Sequence, residues 1–377
     1  MSQLIHKVEV LSRIRRLVVK IGSAVLSDRE GLREEVFARL AAELEGVVAR
    51  GLQVIVVTSG AIAAGRARVP VSAKATIAER QAAAATGQIA LMTLWARHFA
   101  GQGRQIGQLL LTHSDLAEPR RRLNARHTIE TLLAHGIVPV INENDSVAVE
   151  EIRFGDNDNL SALVASLVEA QLLVILTDVA GVLTGDPRRR PDAALIPLIA
   201  DPDAAMKGLV AEAAGPLGTG GMETKLRAAR QAARAGVAVV IASGQEPDTL
   251  AGVLDPACSS GTLILPARTR LRGRKHWIAF ALRPAGRLSV DRGAAEALRH
   301  KGRSLLPSGV SEVRGEFGAG ACVSLIDPEG QEFGRGLVNY PAADVLKLQG
   351  RRSAEIAAIL GYQVADEIIH RDNLVLL

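Results

Sequence analysis

The sequence predicts an α/β protein in which a mainly parallel sheet, covered by helices on both faces, is followed by a small β-rich domain. Two observations lead to this fold class. Short segments that are apolar at consecutive positions alternate with helical patterns through the first two-thirds of the 377 residues, as expected of strands buried on both faces. Beyond about residue 266, short strand-like segments separated by glycine turns replace that alternation.

The elements of the first region follow one another in a regular order. Aromatic residues make up only 3% of the chain, so the core must be built from Ala, Val, Leu and Ile. Helical patterns are found at 32–50, 75–100, 119–135 and 159–168. Strands are predicted between and around them at 17–21, 53–58, 105–111, 137–141, 172–176 and 237–242.

The second region begins with a basic segment at 268–275 that has no apolar periodicity and is interpreted as a linker. Strand-like segments at Trp277–Ala281 and Cys322–Ile326, with a further candidate at Leu346–Leu348, predict the small domain at 276–352. A helix around Ala354–Leu360 and a tail are expected over 353–377. The main domain is thereby assigned to residues 1–267.

Composition excludes several classes of protein. Cys258 and Cys322 cannot supply a disulfide framework, and no uncharged apolar run reaches the length of a bilayer span. Arg13, Arg15 and Arg16 interrupt any signal-peptide core. We therefore expect a soluble, cytoplasmic protein with no membrane partner.

Charge is distributed unevenly along the chain. The whole excess of +5 lies in residues 268–377, where 17 basic side chains accompany 12 acidic ones. A basic segment of this kind could contact an anionic partner such as RNA. The charge count alone favours a solvated linker and surface.

The most informative motif is the glycine-rich segment at 218–225. Its glycines allow the backbone to approach an anion closely, and the helical pattern behind it offers free N–H groups and the positive end of a helix dipole. Lys225, expected in the first turn of that helix, could reach a phosphate. The segment therefore predicts a site for a phosphorylated ligand. It matches neither the P-loop nor the dinucleotide spacing, and a surface loop before a helix is the alternative.

Polar residues stand at the carboxyl ends of four predicted strands, where open parallel sheets bind their ligands. They are Lys20, the pair Thr58-Ser59, the segment Asn142–Asp145 and the pair Thr177-Asp178. A lysine at a strand end is costly unless it meets an anion or water. Each group alone could be a turn or a helix cap. Together with the glycine-rich segment, they predict one shared ligand site.

Two further carboxylates, Asp156 and Asp158, and two amides, Asn157 and Asn159, lie at the start of the helix predicted at 159–168. Asp and Asn cap helices well, so capping is the simple explanation. With Asp145 nearby, however, Asp156 and Asp158 would concentrate negative charge unless lysines or a metal ion neutralise it. Lys20 and Lys225 are the cations available.

In their order and spacing, these motifs resemble those of the glutamate 5-kinases of the amino acid kinase family. The resemblance covers roughly residues 14–265, and residues 276–352 resemble the PUA domain appended to many bacterial members. It implies an amino acid kinase-like three-layer sandwich with a mainly parallel sheet. The segments that carry it are Leu17–Ser23, Thr58–Ala61, Ile141–Asp145, Gly155–Asn159 and Thr219–Lys225.

The resemblance implies an activity and its partners. The γ-phosphoryl group of ATP would pass to the side-chain carboxylate of L-glutamate, giving glutamyl 5-phosphate in the first step of proline synthesis. Proline would inhibit by feedback, and the chain would assemble into a dimer or tetramer. Mg²⁺ would bridge the ATP phosphates mainly through phosphate and water oxygens, and no residue is assigned as a direct ligand.

The resemblance also implies roles for matching residues. Lys20 and Lys225 would be catalytic because they neutralise charge on the transferring phosphoryl group, and Asp158 would hold both lysines. Asp158 is not expected to be a base, since the glutamate carboxylate is already ionised at neutral pH. The glutamate-binding positions are Ser59, Asp145 and Asn157. The nucleotide-binding positions are Lys20, Thr177, Asp178, Thr219, Gly220, Gly221, Met222, Glu223, Thr224 and Lys225.

Two residues depart from the family pattern. Arg153 stands where many members have lysine, and because the two side chains are not interchangeable it is left out of the catalytic set. Glu223 replaces a small polar residue, and we expect its carboxylate to point away from the phosphates.

Three alternatives stay open. Aspartate and acetylglutamate kinases share the fold, although the segment beginning at Lys20, the Asn142–Asp145 segment and the PUA-like region favour glutamate. The basic PUA-like region could make the protein an RNA-binding protein, but a stabilising or assembly role is favoured for it. An inactive regulatory relative is disfavoured because Lys20, Asp158 and Lys225 are all present.

Overall fold

A computed structural model describes residues 2–72, 75–147, 157–185, 190, 192–204, 221–267, 275 and 277–377. The chain divides into two compact units, residues 1–270 and residues 271–377. Among the described residues, no helix is both long and apolar enough to cross a membrane.

The first unit is built on an eight-stranded sheet with the strand order β3-β4-β2-β1-β5-β7-β8-β6. All neighbouring pairs are parallel except β7 and β8, which are antiparallel. The predicted, mainly parallel α/β sheet is therefore confirmed. Its strands are β1 Arg16–Ile21, β2 Gln53–Val57, β3 Ile106–Leu111, β4 Val138–Glu143, β5 Leu172–Thr177, β6 Leu198–Ile199, β7 Ala238–Ser243 and β8 Thr262–Ile264.

Helices accompany this sheet along the whole unit. Several begin at clear sequence signals: Thr76 and Glu79 form a capping box at the start of α5, and Pro119 occupies the first turn of α7. An N-terminal helix, α1, had no counterpart in the sequence prediction. The helices are α1 Ser2–Leu11, α2 Ser23–Leu26, α3 Glu34–Ala49, α4 Ala61–Gly65, α5 Ile77–Gly101, α6 His113–Ala117, α7 Pro119–Ala134, α8 Asn157–Leu167, α9 Gly221–Arg234 and α10 Thr249–Val253.

The core of the first unit is mainly aliphatic, with one aromatic cluster. Phe37, Trp95 and Phe99 are fully buried, and the Phe37 and Trp95 rings meet edge to face with centroids 4.8 Å apart. The indole Nε1 of Trp95 donates a 3.0 Å hydrogen bond to Thr58 Oγ1. This bond ties the core to the carboxyl end of β2, where the site residues lie.

The second unit contains a five-stranded sheet in the order β10-β9-β11-β12-β13, in which only β9 and β11 are parallel. The strand predicted at Cys322–Ile326 is present as β11. The strands are β9 Gly286–Val290, β10 Val310–Arg314, β11 Cys322–Ile326, β12 Glu332–Leu337 and β13 Leu374–Leu376, and the α-helices are α11 Arg292–Lys301, α12 Ala342–Leu348 and α13 Ile356–Leu360. Residues beyond 352 share its core, since Ile356, Ile368, Ile369 and Leu374 are buried there.

Two predicted strands of this unit are wrong. Trp277–Ala281 forms one turn of π-helix, with Ile278 and Ala279 packed on Cys322, and Leu346–Leu348 is the end of helix α12. Apolar runs of three to five residues have no periodicity that separates strand from buried helix. In α12 the helical spacing is evident only after folding, because Val345 and Leu348 are buried while Leu346 is 55% exposed.

Candidate active site

The sheet order places four polar strand ends side by side. Strands β4, β2, β1 and β5 are consecutive neighbours and run in the same direction. Their carboxyl ends carry Asn142, the pair Thr58-Ser59, Lys20 and Thr177. The predicted convergence of these residues therefore follows directly from the strand order.

Helix α8 brings Asp158 to this edge between two lysines. Lys20 Nζ lies 2.5 Å from Asp158 Oδ1, and Lys225 Nζ lies 3.3 Å from Asp158 Oδ2. The side chains of Lys20 and Asp158 are only 5% and 4% exposed, so both charges are buried and neutralise each other. We call Lys20, Asp158 and Lys225 the lysine–aspartate cluster.

Hydrogen bonds fix the carboxylate further. Thr224 Oγ1 donates to Asp158 Oδ2 over 3.0 Å, and Lys225 Nζ also donates to Gly221 O over 3.0 Å. Burial alone would raise the pKa of Asp158. The charges of Lys20 and Lys225, with hydrogen bonds from Lys20 and Thr224, outweigh burial and hold that pKa below its usual value. Asp158 is therefore an anion that holds two cations.

Helix α9 begins inside the glycine-rich segment at Gly221 rather than behind it. Lys225 consequently lies one turn into the helix and not in its first turn. Glu223 pairs with Arg227 Nη2 at 2.7 Å on the outer side of the same helix. Arg153, Asp156, Thr219 and Gly220 lie outside the described residues, and the roles predicted for Thr219 and Gly220 stay predictions.

Beside the lysine–aspartate cluster lies a chain of uncharged groups centred on Asn157. Its Nδ2 lies 2.7 Å from Thr58 O, 2.9 Å from Ser59 Oγ and 2.9 Å from Asn142 Oδ1, so that these three acceptors share its two hydrogens. Asn142 Nδ2 in turn donates to Gln88 Oε1 at 2.7 Å. We call Thr58, Ser59, Gln88, Asn142 and Asn157 the amide network. Sequence reasoning did not single out Gln88, whose only local signal is a polar side chain in an alanine-rich helix.

Three more predicted positions occupy the same edge of the sheet. Thr177 is buried at the end of β5, and its Oγ1 donates to Asp178 Oδ1 over 3.0 Å. Asp178 itself is exposed. Asp145 is half-buried in the turn that follows β4, three residues beyond Asn142.

The side chains at this edge limit the ways in which a metal ion could bind. No group of three or more His, Cys, Asp or Glu side chains suited to a metal occurs within the described part of the chain. Both oxygens of Asp158 are engaged by lysine ammonium groups. An Mg²⁺ ion accompanying a nucleotide would therefore have to be held mainly through phosphate and water oxygens rather than through Asp158.

Comparison with known proteins identifies the family. Residues 15–243 match the model of the amino acid kinase family. The chain belongs to the amino acid kinase family. In this amino acid kinase a second match, to the PUA domain, covers residues 286–360. The resemblance inferred from the motifs is confirmed in both regions.

Relatives extend the similarity over nearly the whole amino acid kinase chain. A glutamate 5-kinase of Pelobacter propionicus is 49% identical over 371 residues, which cover 98% of this chain and 99% of that protein. A glutamate 5-kinase of Geobacter metallireducens is 50% identical over 373 residues, with the same coverage. One of Moorella thermoacetica is 47% identical over 369 residues, covering 97% of each chain.

Proposed function

We propose that this protein transfers the γ-phosphoryl group of ATP to the side-chain carboxylate of L-glutamate. The product is glutamyl 5-phosphate, the first intermediate of proline synthesis. The observation that carries the proposal is the lysine–aspartate cluster at the carboxyl edge of the sheet, in which Lys20 and Asp158 are buried. Near full-length similarity to proteins named glutamate 5-kinase supports the choice of substrate.

The lysine–aspartate cluster suits phosphoryl transfer because that reaction depends on positioning and charge stabilisation. Lys20 and Lys225 bring two positive charges to one point and so stabilise the negative charge on the transferring oxygens. Asp158 keeps the two ammonium groups together and takes no proton, since its pKa is lowered and the acceptor carboxylate is already ionised. Bound Mg²⁺ supplies further neutralisation of the ATP phosphates.

The amide network faces the other reactant in this proposal. Asn157 and Ser59, with Asp145 in the turn beyond β4, bind glutamate. The Asp145 carboxylate suits the α-ammonium group of the substrate. Because all the hydrogen bonds described for Asn157 use its Nδ2, its carbonyl oxygen remains an acceptor for substrate N–H.

The nucleotide occupies the side of β5 and α9. Its phosphates meet Lys20 and the residues Thr219 to Lys225, and its remaining part lies near Thr177 and Asp178. The exposed Asp178 at a strand end suits a hydroxyl or amino group of the nucleotide.

Regulation and assembly complete the proposal. Proline inhibits by feedback at or near the glutamate site, and the chain acts in the cytoplasm as a dimer or tetramer. The kinase domain covers residues 1–267, a linker 268–275, the PUA-like domain 276–352 and a terminal segment 353–377. The PUA-like domain stabilises or assembles the enzyme, and RNA binding is its alternative role.

The test is hydroxylamine trapping of an acyl phosphate formed from ATP and glutamate by the purified protein. Aspartate and acetylglutamate serve as parallel acceptors, each with and without proline. Hydroxamate from glutamate alone, suppressed by proline, is the expected result. An absence of hydroxamate from all three acceptors, with ATP binding demonstrated, would contradict the kinase assignment.

A further inference from the structure

Gln88 is the terminal member of the amide network, and it comes from the middle of helix α5 rather than from a segment that follows a strand. Its Oε1 accepts the 2.7 Å hydrogen bond from Asn142 Nδ2. Its Nε2 is buried and has no hydrogen-bond partner among the residues that the structure describes. A buried donor without a partner is costly, so the Nε2 group gives no reason for a glutamine at this position. The reason must lie in its Oε1, which accepts from Asn142.

The network has only one consistent orientation of its amides. Thr58 O is a backbone carbonyl and can only accept, so the group of Asn157 that approaches it must be Nδ2. Asn142 must then turn Oδ1 toward Asn157. Its Nδ2 consequently points at Gln88, which has to present Oε1. Each amide is held by its neighbour, and Gln88 supplies the last acceptor.

Close packing of two helices delivers Gln88 to this position. A Cβ atom at Gly87 would lie 1.9 Å from Ala61 O, and one at Gly65 would lie 1.8 Å from Ala83 O. Helix α5 therefore touches the backbone of α4, which begins two residues after Ser59. Glycines at both contact points allow this approach. Gln88, the residue after Gly87, thereby reaches the carboxyl end of β4.

We propose that Gln88 is a positioning residue for the amino-acid acceptor of the phosphoryl group. It acts through Asn142, whose amide it locks, and thereby holds Asn157 with its carbonyl oxygen toward the substrate. This inference rests on the proposed function and extends the acceptor site to a helix that carries no motif of the family resemblance. A methionine at this position would avoid the buried unpaired donor but would release the Asn142 amide.

The experiment measures steady-state kinetics of the full-length protein with glutamate and ATP varied in turn. Gln88→Met removes the acceptor at similar volume, and Gln88→Leu repeats the change so that a folding defect in one variant does not decide the result. Gln88→Glu keeps an oxygen that can accept from Asn142 Nδ2. Thr93→Ala is the matched control, because Thr93 is exposed on the same helix and its hydroxyl donates to Ile89 O of that helix.

The apolar variants are expected to raise the KM for glutamate about tenfold, as for one lost internal hydrogen bond. The KM for ATP and kcat stay near those of the parent protein, as do all constants of Thr93→Ala. Gln88→Glu, which keeps an acceptor for Asn142 Nδ2, raises the KM for glutamate less than the apolar variants do. In an Asn142→Ala background, Gln88→Met adds no further change, because the two residues act in series.

Each of the following results would overturn the inference. An unchanged KM for glutamate in both apolar variants makes Gln88 merely structural. Changes in kcat and in the KM for ATP as large as the change in the KM for glutamate would contradict a role in acceptor positioning. Additive effects of Gln88→Met and Asn142→Ala on the KM for glutamate would contradict the link through Asn142. Failure of the parent protein to phosphorylate glutamate is a separate outcome, which refutes the proposed function and this inference with it.

Discussion

The lysine–aspartate cluster and the amide network lie at the same edge of one sheet but are stabilised in different ways. The first consists of three charges, in which the buried Asp158 carboxylate lies between the ammonium groups of Lys20 and Lys225. The second consists of uncharged side chains linked by hydrogen bonds of fixed direction, from Asn157 to Asn142 to Gln88.

The difference determines what each cluster can do. Paired lysines concentrate positive charge and suit the transfer of a phosphoryl group. A chain of amides presents fixed donors and acceptors without net charge, which suits recognition of an amino acid. Damage to the first should therefore lower the rate of transfer, and damage to the second should weaken binding of the acceptor.

The largest expected effect is that of Asp158→Asn, which keeps the shape of the side chain and removes its charge. Two ammonium groups then remain close together without a counter-ion. We expect kcat to fall about 10²- to 10³-fold and the free energy of unfolding to fall by about 3–5 kcal/mol. Hydroxamate assays and urea unfolding measure both quantities.

Asp203→Asn is the matched control. Asp203 also lies between two basic side chains of helix α9, Arg230 at 2.5 Å and Arg234 at 3.1 Å, but its side chain is 38% exposed. Because the Asp203 carboxylate is partly solvated, its ion pairs contribute less than about 1 kcal/mol. Equal losses of stability in the two variants would contradict the distinction between a buried cluster and a surface pair.

Lowering the pH should remove the attraction between the Asp158 carboxylate and the two lysines gradually. Because the pKa of Asp158 is lowered in the folded protein, its stabilising contribution is complete above the unfolded value of about 3.9 and is lost as the pH falls through the lower folded value. Urea midpoints of the parent and Asp158→Asn should thus differ by a constant amount at neutral pH and converge only in strong acid. Convergence between pH 7 and pH 5 would mean that the pKa is raised.

A smaller effect tests the packing on which the amide network depends. Gly87→Ala places a methyl group against Ala61 O, and we expect a loss of about 1–3 kcal/mol in stability from overpacking. The KM for glutamate should rise as well, since Gln88 moves away from Asn142. Thermal unfolding and steady-state kinetics measure the two effects.

Gly46→Ala is the control, and its expected effect on stability has the opposite sign. Gly46 is in helix α3, and a Cβ atom there would meet no atom of the described residues within 4 Å. Alanine should stabilise that helix by about 0.5–1 kcal/mol. If Gly87→Ala also stabilised the protein, the close contact of α4 and α5 would not be a constraint.

Sequence reasoning found the charged cluster more readily than the network, for a physical reason. A lysine such as Lys20 at the end of an apolar strand is costly to bury, so its presence alone points to a partner. Gln88 gives no such signal, because its partner Asn142 is 54 residues away and the contact requires two helices to cross at glycines. The parallel sheet was predictable from its apolar strands, whereas the short runs at Trp277–Ala281 and Leu346–Leu348 lacked a periodicity that could exclude helix.

The most direct test of the division between transfer and recognition compares Lys225→Met with Asn142→Ala in the hydroxamate assay. Lys225→Met is predicted to lower kcat about 10²- to 10³-fold with little change in the KM for glutamate. Asn142→Ala is predicted to raise that KM about tenfold and to retain most of kcat. Loss of kcat to the same extent in both variants would contradict the division of labour between the two clusters.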